Sequence, residues 1–210
     1  MTVAPTKFRM NMFMHRAFLR EIDRLLSRLG NLDMNDSEQV AGFQRRWRFF
    51  TETLAAHHAA EDQYLWPIAE RSADAEEQVV LHAMAAEHTA LEEASQSVEA
   101  TVSVLMERED TKGITAALSD LAGLLAGHCL HEEHAGVPIV AKYISQEDFD
   151  SFMATSRNRS NADLILAWVC DGAPPEIISG TWSMLPAPMR VMVRPRANRK
   201  YRRFVTECGF

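Results

Sequence analysis

Two stretches of the sequence place a histidine and a glutamate four residues apart. HHAAEDQYLWP contains His57 and Glu61, and HCLHEEHAGVP contains His128 and Glu132, each 71 residues further along the chain. In both stretches a proline follows six residues after the glutamate. Positions i and i+4 lie on one face of an α-helix, so each pair projects an imidazole and a carboxylate toward the same point.

Such pairs need a positive partner if they face the interior of a protein. A buried carboxylate or imidazolium without a partner costs several kcal/mol, and a metal ion removes that cost by accepting the lone pairs. Imidazole suits iron, zinc, copper and nickel, and a carboxylate can bridge two cations. Because no cysteine joins the pattern, the donor set favours iron or manganese.

Four long segments show the helical periodicity that would carry these residues. Apolar side chains recur there every three or four positions, and few glycines or prolines interrupt them. The connections between the segments are short, which is typical of antiparallel neighbours in a helical bundle. The predicted helices span 10–29, 37–67, 74–108 and 111–143.

The first and third predicted helices also contribute one histidine each. His15 and His88 are separated by 73 residues, close to the spacing of the two HxxxE units. The chain therefore repeats a helix with a histidine followed by a helix with HxxxE, which indicates an internal pseudo-twofold arrangement. The repeated pattern favours a metal site over isolated surface or core histidines.

These residues resemble the pattern of the hemerythrin or HHE cation-binding family, in its H…HxxxE…H…HxxxE subgroup. The resemblance covers about residues 10 to 143 and implies an all-α, antiparallel up-down-up-down four-helix bundle with a di-iron site. It implies Glu61 and Glu132 as bridging carboxylates and four terminal ligands, which are His15, His57, His88 and His128. It also implies two iron ions with an oxo or hydroxo bridge, ahead of manganese or zinc.

The chain departs from the oxygen-carrying hemerythrins in two motifs. Those proteins carry HxxxH on the third helix and HxxxxD on the fourth, whereas this chain has His88 with Glu92 and His128 with Glu132. Six-coordinate metals need roughly twelve donor positions, and this ligand set leaves about two of them open. Open coordination positions favour a reaction at the metals over reversible oxygen transport. Glu92 is a candidate for an additional metal ligand. Tyr64 is a candidate for a catalytic side chain next to the ligands.

Other polar residues near the motifs are expected to play lesser parts. His58, His82 and His134 should turn away from the face of the ligands and be solvated or lie between helices. Asp62 and Glu133 should face off-axis, where either could accept a hydrogen bond from a ligand imidazole.

Beyond residue 144 the pattern changes to short helices in a loop-rich region broken by prolines, which predicts a bundle domain over 1–144 and a helical and loop extension over 145–210. In the extension, SQED is a capping-box pattern and 163–170 predicts a short buried helix. Residues 190–210 include seven basic residues and one acidic residue, Glu207, although the chain as a whole has a net charge of −7. This basic tail is expected to dock on the acidic remainder of its own chain, or of a neighbouring subunit in a homo-oligomer. Such docking is favoured over binding of nucleic acid.

Composition places the chain among ordinary globular proteins, with 47% hydrophobic and 24% charged residues. No apolar run approaches the roughly 20 residues of a membrane span, and no secretory signal is evident, so the chain is expected in the cytoplasm. Three separated cysteines argue against a disulfide framework or a thiolate zinc site.

The sequence favours an enzyme that turns over a small oxidant, namely hydrogen peroxide, oxygen or nitric oxide, in a peroxidase-like, catalase-like or stress-defence role. Three alternatives remain. The chain could bind, sense or store oxygen, nitric oxide or iron without turnover, a zinc ion could staple the bundle, or a di-iron oxidase could act on an organic substrate held beneath the C-terminal extension.

Overall fold

A computed structural model of the chain describes residues 8–107, 111–157 and 161–209, and those residues contain helices and no strand. The all-α prediction is therefore confirmed. The first six helices are α1 (Arg9–Leu29), α2 (Ser37–Tyr64), α3 (Trp66–Glu70), α4 (Ala75–Glu107), α5 (Thr111–His131) and α6 (Val137–Tyr143). The others are α7 (Gln146–Arg157), α8 (Ala162–Cys170), α9 (Pro175–Ser183) and α10 (Ala187–Glu207). The predicted end of the third long helix at residue 108 lies outside the described residues.

The long helices pack pairwise around two apolar clusters. α1 contacts α2 and α5, and α4 contacts the same two helices. The larger cluster, called the main core, includes Phe18, Leu25, Trp47, Phe50, Leu91 and Leu121. The smaller cluster, called the second core, includes Leu65, Trp66, Leu81, Met84 and Val140.

The histidines and glutamates of the motifs lie between these two cores. Along α2 the chain passes Leu54 of the main core, then His57 and Glu61, and then reaches Leu65 of the second core. The segment from α5 to α6 runs in the same order. The opposite order holds for α4, which begins at the second core and ends in the main core, and for α1, which directly follows Phe8 of the second core and ends in the main core. A layer of polar residues is thus enclosed by apolar packing at both ends.

Each HxxxE helix is interrupted just after its glutamate. A proline lacks a backbone N–H, and its ring clashes with the carbonyl four residues earlier. α2 ends at Tyr64 and α3 restarts with Pro67 in its first turn. After α5 a π-helical turn, Glu132–Gly136, widens the helix before Pro138, and the Val137 N–H donates to the Glu132 carbonyl. The two prolines therefore explain both interruptions.

The C-terminal segment is more helical than its prolines predict. Pro175 and Pro188 lie in the first turns of α9 and α10, where no intrahelical N–H is needed. α10 is 21 residues long and contains Pro195, so the expected loop-rich region is instead largely helical. The predicted cap at Ser145 is present, since Ser145 Oγ accepts a hydrogen bond from the Asp148 N–H at 3.0 Å and donates to the Asp148 carboxylate at 2.6 Å.

This segment packs on the first helices of the chain. Trp168 and Val169 of α8 belong to the main core, and the Trp168 ring lies 5.2 Å from that of Phe18. α10 packs on α8 and α9, and Lys200 Nζ lies 2.8 Å from Asp163 Oδ1. The division of the chain at residue 144 stays a prediction.

One helical stretch among the described residues, Lys112–Tyr143, is long and apolar enough to cross a membrane by length and composition alone. Its mean hydropathy over the best window is 1.3, and the core helix of a soluble protein can pass the same test. This stretch carries His128 and Glu132, whose side chains are buried against other helices.

Candidate metal centre

The structure brings the six predicted ligands together in one buried layer. Glu61 and Glu132 have no exposed surface, and none of the four histidines exceeds 9% exposure. Their ligand atoms belong to two groups, and within each group all the ligand atoms lie within 4.8 Å of one another. One group is His15, His57, Glu61 and Glu132, and the other is His58, His88 and His128.

The two glutamates connect these groups. Glu61 Oε1 lies 3.4 Å from His57 Nε2, and its Oε2 lies 3.7 Å from His88 Nε2. Glu132 Oε2 lies 3.0 Å from His15 Nε2 and 3.5 Å from His128 Nε2. Each carboxylate therefore lies near one histidine of each group, Glu61 through its two separate oxygens and Glu132 through Oε2 alone.

Most of these inward-facing atoms lack a hydrogen bond. The four predicted histidines each have a buried Nε2 without a partner among the described residues, as do both Glu61 carboxylate oxygens and Glu132 Oε2. The 3.0 Å approach of His15 to Glu132 lacks hydrogen-bond geometry. An unpaired buried polar group costs about 1–3 kcal/mol, so cations bound among these atoms would remove a large penalty. The donor set fits metal ions.

Carboxylates on neighbouring helices hold three of the imidazoles by their other nitrogen. The Nδ1 atoms of His15, His88 and His128 lie 3.1, 2.8 and 2.9 Å from carboxylate oxygens. The acceptors are Glu133, Asp62 and Glu87 in that order. An Nδ1–H that donates to a carboxylate leaves the Nε2 lone pair facing the centre, as in metal-binding histidines.

Comparison with known families agrees with this geometry. The sequence model described as "Hemerythrin HHE cation binding domain" matches residues 9–140. The chain belongs to this hemerythrin family. No curated protein and no solved structure matches it. Membership in the hemerythrin family supports a metal-binding module, and iron is the typical metal of that domain.

Electrostatics in this hemerythrin-like site separate the two glutamates. Burial, with the negative charges of Glu132 and Asp62, raises the pKa of Glu61 well above its ordinary value. Burial also acts to raise the pKa of Glu132, but His15 lowers it overall. Burial acts to lower the pKa of His15, yet Glu132 and Glu133 raise it to about 9. Burial and the surrounding histidines lower the pKa of His57. A metal ion would therefore displace protons from Glu61 and His15.

His58 is the main residue of the hemerythrin-like site that sequence reasoning missed. It was expected to turn away from the ligands, but it is 7% exposed and its ring stacks on that of His88 with centroids 4.1 Å apart. The His128 ring lies 5.1 Å away, edge to face. Burial, followed by the charges of His88 and His128, lowers the pKa of His58. The only signal in the sequence that could have indicated a role for His58 is its position next to His57.

Glu87 was missed as well. It accepts from His128 and, at 2.7 Å, from His131, which explains why half-buried His131 lies beside the site. Asp62 and Glu133 were anticipated as acceptors, and both fill that role. Glu132 is further held by the Asn11 amide, which donates to Oε1 at 2.6 Å.

The structure leaves two predicted candidates, Glu92 and Tyr64, outside the cluster. Glu92 is exposed and accepts a hydrogen bond from Gln96 Nε2 at 3.2 Å. Tyr64 is 36% exposed at the end of α2 and lines a surface groove away from the ligands. His82 and His134 are exposed, as expected.

The repeat seen in the sequence is only partly preserved around the cluster. His15 with Glu133 mirrors His88 with Asp62, since each histidine contacts the residue after the partner glutamate. The equivalent of Glu87 in the first half is Met14, and the equivalent of His58 in the second half is Cys129. Cys129 lies in the main core, and burial raises the pKa of its thiol. The two halves therefore surround the centre with different chemistry.

Proposed function

We propose that the chain is a non-haem di-iron protein of the H…HxxxE…H…HxxxE subgroup that reacts with hydrogen peroxide, oxygen or nitric oxide. The observation that carries this proposal is the convergence of seven buried donor atoms that make no hydrogen bond, from α1, α2, α4 and the α5 segment. Two iron ions sharing an oxo or hydroxo bridge, when bound, would supply Lewis acidity and electrons to the oxidant.

An antiparallel up-down-up-down arrangement of the four long helices is part of this proposal. It is supported by the alternating order in which successive long helices pass the second core, the polar layer and the main core. In such a bundle each helix contributes donors at one common level, and the apolar clusters at both ends exclude water from that level.

The residues of the chain would divide the work at the centre. His15 and His57 would bind one ion and His88 and His128 the other, with Glu61 and Glu132 shared between them. The geometry adds His58 to the second set, because it groups with His88 and His128. Asn11 would orient Glu132 through its amide.

The test uses iron-loaded protein prepared without air. Hydrogen peroxide, oxygen and nitric oxide are added separately, while absorption spectra and oxidant consumption are recorded. We expect spectral change with at least one oxidant and catalytic consumption of peroxide or oxygen. A matched preparation of His82→Ala, which alters an exposed histidine, should behave as the native protein.

Two outcomes would overturn the enzymatic proposal. Stable adducts without turnover would indicate a module that senses or stores its ligand. Zinc in the protein as isolated, with no redox-linked absorbance after iron loading, would indicate a structural metal.

A further inference from the structure

A mainly apolar cavity of about 170 Å³ lies between the start of α1, the end of α2 and the C-terminal helices. Phe149 and Phe152 of α7, Leu166 of α8 and Leu185 after α9 form part of its wall. The C-terminal segment thus builds one side of the cavity, and the helices that carry the metal ligands build the other.

The polar lining of this cavity belongs to the candidate metal centre and its surroundings. Asn11 and His57 are its only polar lining residues among those described. His57 Nε2 lies 3.4 Å from Glu61, and Asn11 donates to Glu132. His57 is also the most exposed of the four predicted histidine ligands, at 9%. A molecule in the cavity would therefore lie beside the ligands of the centre.

Size and polarity determine what the cavity can hold. An apolar protein cavity of about 150 Å³ stays dry and binds benzene or xenon. This cavity is of similar size, so it can hold one molecule of that order. A charged or strongly hydrogen-bonding ligand would lose its hydration, and only two polar side chains could replace the lost hydrogen bonds, so its binding is disfavoured.

We propose that this cavity binds a small, uncharged organic molecule about as large as benzene, next to the metal centre. Binding follows from the shape and apolar lining of the cavity and does not require iron. The proposed function is needed only for a further step, in which the bound molecule would react at the iron centre.

Benzene is the probe, and the full-length protein is titrated with it by calorimetry in metal-free and iron-loaded forms. We expect one saturable site in both forms. Ala162→Phe and Leu185→Trp each put bulk into the cavity from a different segment and should weaken binding at least tenfold. Ala116→Phe makes the same change as the first variant at an exposed position of α5 and should bind as the native protein does.

Methyl NMR of the native protein gives a second measurement that needs no variant. Benzene should shift the methyl signals of Met10, Leu166 and Leu185, which line the cavity, and leave Leu118 of the main core unchanged.

Three results would overturn the proposal. The first is the absence of saturable benzene binding to the native protein, and the second is shifts confined to methyl groups elsewhere. The third is binding of xenon without benzene, which would make the cavity a passage for gases. Because the metal-free protein is titrated, these results differ from a failure of the iron chemistry.

Discussion

Asp62, Glu87 and Glu133 act on the site through the imidazoles that they contact. Each accepts from an Nδ1 atom of a histidine on another helix. The carboxylate fixes the ring orientation and makes the imidazole a stronger electron donor. These contacts hold three of the proposed ligands in their binding orientation before any metal arrives.

Asp62→Ala should therefore weaken iron binding without removing a ligand. Loss of such an outer carboxylate typically costs 10–100-fold in metal affinity, and we expect an effect of that order in the apparent Kd for ferrous iron. Glu92→Ala is the matched control, because Glu92 is an exposed carboxylate outside the cluster. An equal or larger loss in Glu92→Ala would show instead that Glu92 is a ligand.

His58→Ala should reduce the number of iron ions retained. His58 groups with His88 and His128, so its loss should weaken one ion selectively and leave closer to one ion than two per chain after desalting. Metal content is measured by mass spectrometry, with His82→Ala as the control and circular dichroism as the check on folding. Full retention of both ions by His58→Ala would contradict its assignment as a ligand.

The sequence predicts the residues of the cluster on each helix better than the contacts between helices. Helical periodicity places His57 and Glu61 on one face because both belong to one helix. The burial of His58 depends on how α2 is rotated against α4 and α5, which spacing within α2 does not determine. Glu87 was missed for the same reason, since its partner His128 lies on α5.

At the scale of elements, a buried ion pair ties α1, α2 and α8 together. Glu21 of α1 accepts from Arg46 of α2 and, at 3.0 Å, from the Trp168 indole of α8. Glu21 and Arg46 are both at most 2% exposed. This pair therefore fixes how the C-terminal segment sits on the first two helices.

Glu21→Ala should destabilise the protein strongly. Removal of one partner of a buried ion pair costs about 3–5 kcal/mol, because the positive charge of Arg46 stays buried after its carboxylate has been removed. The free energy of unfolding is measured in urea, and Asp23→Ala, an exposed change on the same helix, should stay within about 0.5 kcal/mol of the native protein. Similar values for the two variants would show that the pair contributes little.

Element boundaries were predictable where a local signal sets them. Ser145 caps α7 and the predicted short helix at 163–170 appears as α8. The length of α10 was not predictable, since its two N-terminal prolines and Pro195 indicate loops in isolation. Packing of Ala197 and Tyr201 into the main core supplies the stabilisation that local preference lacks.

For the whole molecule, the buried polar layer should make the free energy of unfolding depend on whether metal is bound. Buried donors without partners penalise the metal-free fold, and a ligand at a hundredfold excess over its Kd adds about 2.7 kcal/mol to stability. For a chain of this size we expect iron to raise the Tm by about 5–10 °C. The measurement is calorimetry before and after chelation.

The same calorimetric comparison has two controls. The increase should largely disappear in Glu61→Ala, which lacks a bridging carboxylate, and it should persist in His82→Ala. An unchanged Tm on iron loading of the native protein would show that the cluster does not bind the metal tightly.

The mismatch between Met14 and Glu87 means that the two halves of the repeat are not interchangeable. A symmetric dimer assembled from two copies of the first half would place apolar methionines where the second half has Glu87, leaving the equivalents of His128 without an anionic neighbour. Two copies of the second half would replace the Met14 wall of the cavity with carboxylates. Each half thus supplies what the other lacks, so the apolar cavity beside His57 and the carboxylate that orients His128 occur together only when both halves are in one chain.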